Sequence, residues 1–279
     1  MTINEFRKHA ISALGEITDN PQFEADQLMM SALGISKNEL VTERRYALTD
    51  DKHEAIHAAL ARRLAREPLQ YICGEWAFFG LRMFCGKGCL IPRPETEMIA
   101  EYAIQHLPKG GHLLDLCTGS GCIAVSVLNN RPDVTATAVD ISEDALFYAR
   151  KNAKYHGIPE ARLEFVNADI IDYVPVKMPD MIVSNPPYIK DGDMENLAPE
   201  LKHEPEIALK GGHDGLDFYK VIAGKYGRYL GKDNEIVLEV GYDIAGEVAA
   251  VFRAKKFETR LDTDLYGVER MCVAKRVKL

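Results

Sequence analysis

The 279 residues contain no CxxC pair, no histidine at zinc-finger spacing from a cysteine, and one tryptophan. They also lack any uncharged apolar run near the roughly 18 to 20 residues needed to cross a bilayer, which excludes a membrane-spanning helix. Cys73, Cys85, Cys89, Cys117, Cys122 and Cys272 are scattered, so reduced core or loop thiols are expected and no metal centre. Basic charge is also short: Lys plus Arg number 34 against 42 Asp plus Glu, a net charge of −8. That balance disfavours a protein held to nucleic acid by non-specific phosphate contacts. The opening MTINEFRKH has Glu5 near its start and no apolar h-region, so a cytoplasmic location is expected. Apolar residues at 47% and charged residues at 27% are ordinary globular usage, and the length suggests about two domains.

What is present is sharply organised. Thr2 with Glu5 and Ser36 with Glu39 fit capping boxes, and Asn20 before Pro21 fits an N-cap and first helical position. Phe6, Ala10, Leu14 and Ile17 share one helical face, as do Ile56, Leu60 and Leu64, with stops at Gly34 and Pro68. Residues 1–70 therefore read as a small helical domain, in which His9, His53 and His57 are expected to be solvated or capping residues. From 71 to 92 the pattern turns aromatic and is broken by Gly74, Gly80, Gly86 and Gly88, which predicts a hairpin connector. From 93 to 279 helices and strands alternate, with strands predicted at 112–117, 134–140, 162–167, 180–184, 235–240, 257–261 and 268–275. Helices are predicted near 95–107, 121–130 and 142–156. Alternation of this kind predicts an α/β fold, a doubly wound seven-stranded sheet with helices on both faces.

The end of the first strand, DLCTGSGC, offers Gly119 and Gly121 for close backbone approach to a ligand, ahead of a helix N-terminus. The spacing is neither a P-loop nor GxGxxG, so a plain turn remains an alternative at this point. The second strand ends in Asp140, placed to accept from a ribose diol, although it could equally cap the helix that follows, as could Ser142. Asp169, after the third strand, could accept from an adenine amino group beside the apolar Ile170. Three successive strand ends of this chemistry favour a nucleoside site.

The fourth strand ends in Asn185, Pro186, Pro187 and Tyr188. Two prolines lock the turn and remove N–H donors, leaving carbonyl acceptors beside the Asn185 amide. A planar NH2 group would be gripped by two acceptors and stacked on Tyr188.

With these residues in view, the chain resembles the class I S-adenosylmethionine-dependent methyltransferases that carry NPPY, and within them the release factor glutamine methyltransferases. EPLQYICGE (67–75), IPRPETE (91–97), DLCTGSG (115–121), SNPPYI (184–189), EPEIAL (204–209) and GGHDGLDFYK (211–220) carry the likeness, which covers nearly the whole chain. The resemblance implies a methyltransferase-type sheet preceded by a helical substrate-docking domain. It implies S-adenosylmethionine as cofactor, with S-adenosylhomocysteine as product and no metal. The methionine portion would lie along Cys117, Thr118, Gly119, Ser120 and Gly121, the ribose on Asp140, and the adenine between Asp169 and Ile170. Asn185 and the Pro186 carbonyl would hold a glutamine amide, with Pro187 in the turn and Tyr188 on the amide plane, and Asn185 would be the catalytic residue. Residues Arg93 to Thr96 would help close the pocket. Cys117 stands where relatives often have Gly, so its contribution is expected through the backbone.

The implied reaction is N5-methylation of the GGQ glutamine of class-1 peptide chain release factors, by a protein expected to act as a monomer without direct nucleic-acid contact. Two other readings compete with it. An adenine amino methyltransferase would need the same grip. Eight carboxylates between Asn185 and Phe218 face only Lys190, Lys202 and Lys210 there, which argues for a basic protein partner over phosphate. A non-catalytic adaptor would have no need of Asn185 and Tyr188.

Overall fold

The computed structural model describes residues 1–42, 46–231 and 233–276. Its contacts separate Met1–Glu75 with Ala198–His203 from Trp76–Leu197 with Glu204–Leu279.

The first unit is helical: α1 (Ile3–Leu14), α2 (Pro21–Leu33), α3 (Lys37–Thr42), α4 (Asp50–Leu64) and α5 (Leu69–Cys73). Both capping boxes form: Glu5 N–H donates to Thr2 Oγ1 while Thr2 N–H donates to Glu5, and Ser36 and Glu39 reciprocate in the same way. Asn20 caps α2 without a side-chain hydrogen bond, and Pro21 opens the helix. Phe6, Ala10 and Leu14 are buried, whereas Ile17 lies beyond the end of α1. Leu64, expected on the apolar face of α4, is 40% exposed at the last turn. That helix stops before Pro68, because Arg66 adopts φ 68°, and Pro68 instead caps α5. His9 is exposed, as expected, whereas His53 and His57 are half-buried: His57 packs edge-on to Phe6 at 4.9 Å, and its Nε2 lies 3.2 Å from that of His53. Glu200, from the segment that returns to this unit, pairs with Arg63 and Arg66.

The second unit begins with a hairpin, β1 (Glu75–Phe78) and β2 (Leu81–Phe84). There follow α6 (Glu97–His106), β3 (His112–Leu116), α7 (Cys122–Asn130), β4 (Thr135–Asp140), α8 (Glu143–Tyr155), β5 (Leu163–Asn167) and β6 (Met181–Ser184). The unit is completed by α9 (Asp217–Lys225), β7 (Glu235–Glu239), α10 (Ala245–Ala254), β8 (Phe257–Thr263) and β9 (Glu269–Arg276). Among the described residues the main sheet has seven strands in the order β5-β4-β3-β6-β7-β9-β8. The first five pair in parallel, and β9 runs antiparallel to both neighbours.

Alternation along the central strands sorts the two faces. Leu113, Val183, Val237 and Val273 enter one core, with α6, α7 and the hairpin residues Phe78 and Met83. Leu114, Ile182, Ile236 and Cys272 enter the other, with Tyr219, Tyr226 and Phe252. Strands buried on both sides read as continuous apolar runs, and each fully buried Val, Leu or Ile stabilises the fold by about 1.5–3 kcal/mol. Every residue of α7 from Cys122 to Leu128 is buried, as expected for a helix that is apolar all round. The strand order reverses at β3, which puts the carboxyl ends of β3, β4 and β6 around one crevice.

Candidate active site

The crevice is organised by the turn after β3. Asp115, fully buried, accepts from Thr118 Oγ1 at 2.6 Å and from the Ala124 N–H of α7 at 3.3 Å. These contacts fold the turn back onto the helix it precedes. Burial pushes the Asp115 carboxyl up to about 7. Positive φ angles at Cys117 (56°), Gly119 (56°) and Gly121 (74°) bend the chain sharply. A Cβ on Gly121 would sit 3.0 Å from Ala149 Cβ, so glycine there permits α8 to pack close, while Gly119 faces open space. Asn152 of α8, wholly buried, donates to Ser120 O and Phe84 O and accepts from Phe84 N–H, which ties the turn to the hairpin.

The next strand is tied to the same turn. Thr118 N–H donates to Val139 O, and Gly119 N–H donates to Asp140 Oδ2 at 2.8 Å. Ser142 N–H donates to Asp140 Oδ1, and the Ser142 hydroxyl accepts from Ala145 N–H, so Ser142 caps α8 and leaves Asp140 facing the crevice. Burial raises the Asp140 carboxyl, against the lowering effect of those backbone donors. After β5, Asp169 Oδ1 accepts from Ile171 N–H, and Ile170 is buried, its carbonyl held by the Tyr226 hydroxyl.

Beyond β6, the Ser184 hydroxyl donates to Leu116 O at 2.7 Å, which fixes the spacing of the two central strand ends. The amide Nδ2 of Asn185 donates to Thr96 Oγ1 at 3.1 Å, and the Thr96 hydroxyl in turn donates to Glu239 Oε2 at the end of β7. Tyr188 donates its hydroxyl to Glu239 Oε1 at 3.4 Å. Burial pushes the Glu239 carboxyl up to about 7 and the Tyr188 phenol well above its ordinary value.

One pocket gathers most of the residues singled out in the sequence. Cys117, Thr118, Gly119, Ser120, Asp140, Asp169, Ile170, Asn185 and Pro187 line it, with Arg93 and Thr96 at another wall. Gly121, Pro186 and Tyr188 belong to the same turns without lining it. The pocket also has apolar walls that periodicity did not single out, from Leu90, Pro205, Ile207, Ala208 and Phe218. Apart from Leu90, which just precedes IPRPETE, they fall in the EPEIAL and GGHDGLDFYK segments, which carried the resemblance without individual roles. Glu239 and Asp115 were missed altogether as site residues.

The last of those segments braces the Asn-Pro-Pro-Tyr turn. A Cβ on Gly211 would meet Tyr188 Cα at 2.6 Å and Pro187 O at 2.8 Å, and one on Gly215 would meet Tyr188 O at 2.5 Å. Gly211 N–H donates to Ile189 O, and Ile189 N–H donates to Leu209 O.

The acidic segment beyond the turn is paired in part. Glu204 is buried and accepts from Ile91 N–H at 2.9 Å and from the Arg93 guanidinium. Asp214 and Asp217 pair with Lys220, and Asp191 and Glu206 with Lys210. Lys210 and Lys220 each serve two carboxylates, and Asp193 and Glu195 are exposed, so the segment keeps an acidic excess. Among the described residues no cluster of His, Cys, Asp and Glu is arranged to hold a metal ion, and no helix is long and apolar enough to cross a membrane.

Two protein families match the chain: the PrmC N-terminal domain over residues 5–74 and the methyltransferase small domain over residues 96–213. The release factor glutamine methyltransferase of Thermodesulfovibrio yellowstonii is 35% identical over 278 residues, covering 96% of this chain and 99% of its own length. That of Coxiella burnetii is 36% identical over 279 residues, covering 99% of each. A solved methyltransferase from Pyrococcus furiosus is similar in fold, with a TM-score of 0.55 at 18% identity over 79% of this chain and 98% of its own.

Proposed function

The chain belongs to the release factor glutamine methyltransferase family, and from that premise we propose that it transfers a methyl group from S-adenosylmethionine to the GGQ glutamine nitrogen of class-1 peptide chain release factors in the cytoplasm. The observation that carries this reading is the orientation of Asn185. Its Nδ2 is engaged by Thr96, which leaves Oδ1 as an acceptor at the pocket that Asp140 and the Gly119 turn also line.

The residues fit a nucleoside with a charged amino-acid tail. Asp140 and Asp169 supply acceptors at successive strand ends, and Asp115 Oδ1 and Ser120 Oγ are buried beside the turn without a partner. When bound, S-adenosylmethionine supplies an electrophilic methyl on a sulfonium sulfur. In this reading Asp140 holds the ribose hydroxyls, Asp169 accepts from the adenine amino group, and Ile170 forms the apolar wall for the ring. Residues 117–121 approach the methionine portion through their backbone.

An amide nitrogen is a poor nucleophile because resonance delocalises its lone pair, so orientation supplies much of the rate. Asn185 Oδ1 and the Pro186 carbonyl accept from the two amide N–H groups, which aims the nitrogen and stabilises positive charge that develops on it. Tyr188, with its hydroxyl held by Glu239, stiffens the turn and packs on the amide plane. The departing proton passes to water.

The test is a transfer assay with methyl-labelled S-adenosylmethionine, offering in parallel a purified class-1 release factor, the same factor with its GGQ glutamine replaced by alanine, and duplex DNA. Label mapped by mass spectrometry to that glutamine alone is the expected result. Label in DNA moves the assignment to an adenine amino methyltransferase, and cofactor binding with no label anywhere leaves an adaptor.

A further inference from the structure

Two buried groups beside the reactive turn touch neither the substrate amide nor the methyl donor in this reaction. Thr96 is 2% exposed and Glu239 is 3% exposed. They lie 143 residues apart in sequence and meet directly. Neither needs this arrangement to fill space: a valine and a leucine would pack there without the cost of burying a carboxyl group.

Proton counting explains what the pair does. An ionised Glu239 can only accept. The Thr96 hydroxyl has a single proton, and Glu239 takes it. Toward Asn185, Thr96 can then only accept, so the amide must turn its Nδ2 inward and its Oδ1 toward the pocket. A protonated Glu239 reverses the chain. It donates to Thr96, its closer partner than Tyr188, and Thr96 donates to Asn185 Oδ1. The amide flips, and Nδ2 faces the pocket.

We propose that Glu239 and Thr96 are positioning residues, the Glu239 carboxylate acting through the Thr96 hydroxyl to choose which end of the Asn185 amide faces the substrate nitrogen. The inference rests on Asn185 being the residue that grips that nitrogen. With Oδ1 presented, the site accepts from the substrate NH2. With Nδ2 presented, donor faces donor and the grip is lost. Charge state thus becomes hydrogen-bond polarity, and transfer has an acid limb set by Glu239.

Several groups set where that limb falls. Burial, with a smaller push from Glu95, raises the Glu239 carboxyl to about 7. The Thr96 and Tyr188 hydroxyls and the Arg270 guanidinium of β9 oppose that shift. The Tyr219 hydroxyl of α9 donates to the Glu239 backbone carbonyl, and the Cys122 thiol of α7 faces the same carboxyl. Both stay protonated across the working range, since burial pushes them up, so neither titrates in competition.

The test compares pH profiles of kcat/KM from pH 5.5 to 9 for the full-length enzyme and the variants E239Q, T96V, T96S and N185A. Binding of S-adenosylhomocysteine by calorimetry and thermal melts serve as folding controls. Wild type is expected to lose activity below pH about 7. E239Q, which has no proton to gain, is expected to lose that limb. T96V is expected to lose about 30-fold or more in kcat with cofactor affinity unchanged, and T96S to recover most of it, as for an interaction made in the transition state. A wild-type acid limb in E239Q, or wild-type kcat in T96V, overturns the proposal while an inactive N185A leaves the grip itself standing. An active N185A overturns both. Should E239Q fail to fold, the contrast of T96V with T96S decides alone.

Discussion

The backbone N–H of Gly119 lies 2.8 Å from Asp140 Oδ2, so the glycine turn after β3 and the acid that ends β4 form one hydrogen-bonded unit. Asp140→Ala removes the ribose acceptor and leaves the Gly119 and Ser142 N–H groups without their partner. Hydrogen bonds to charged groups are worth about 1.5–3 kcal/mol each, so cofactor affinity should fall at least ~10-fold. Calorimetric titration with S-adenosylhomocysteine measures this, and unchanged affinity would remove Asp140 from the site.

Asn185→Ala separates chemistry from cofactor binding. Loss of an acceptor that acts on developing charge costs about 100-fold or more in kcat, while cofactor affinity stays near that of wild type. Single-turnover transfer and calorimetry on the same preparation report the two effects independently.

Gly211→Ala tests the brace behind the reactive turn. The new Cβ would stand 2.6 Å from Tyr188 Cα and 2.8 Å from Pro187 O, both backbone atoms that can give way only by moving the turn. A displacement of about 1 Å in a positioned group costs on the order of 100-fold in rate. Transfer should therefore fall steeply while cofactor affinity holds, and equal activity in the variant would mean that the turn tolerates the shift.

Cys117 holds φ at 56° where glycine would be unstrained. Cys117→Gly relieves the steric cost of a left-handed residue and loses a partly buried thiol, two effects of about 1 kcal/mol each and of opposite sign. Its melting temperature should stay within a few degrees of wild type. Cys117→Val puts a β-branched side chain at the same φ and should lower it clearly.

His112 opens β3, its ring nitrogens beside the Thr135 and Thr137 hydroxyls of β4. Burial first, and then Lys177, press its pKa from 6.5 down to about 4. Between those values the unfolded chain binds a proton that the native protein excludes, so stability rises with pH across that window and is lost as pH falls through it. The slope is about 1.4 kcal/mol per pH unit for one proton. Urea melts at pH 4.5 and pH 7 should show this loss in wild type and a smaller one in His112→Gln.

What could be read before folding was what is local. The strand, turn and helix from His112 to Asn130 emerged within a residue or two, because apolar runs and glycines act over a few positions. The boxes at Thr2 and Ser36 were legible for the same reason. Asp140 and Asn185 could be placed because strand ends face one crevice in any doubly wound sheet. Glu239 could not: it is one acid in a run that reads as an ordinary strand, and its meaning comes from Thr96, brought to it only by α6 crossing the sheet. The fate of Glu204 was hidden for the complementary reason, since charge counted along the chain cannot reveal that it is folded inward onto Ile91 and Arg93.

The place of β9 between β7 and β8 has a consequence for the order in which the chain is made. Every loop that lines the pocket precedes Glu235, so a growing polypeptide contains the whole binding crevice before β7 has left the ribosome. The β8 strand follows with no neighbour to pair with, because β9 must first slide in beside β7. Until then the edge of β7 is a bare row of backbone donors and acceptors, the kind of template that recruits other unfinished chains. A premature stop near Gly267 would thus yield a protein with an assembled crevice and an open seam, prone to associate through the seam.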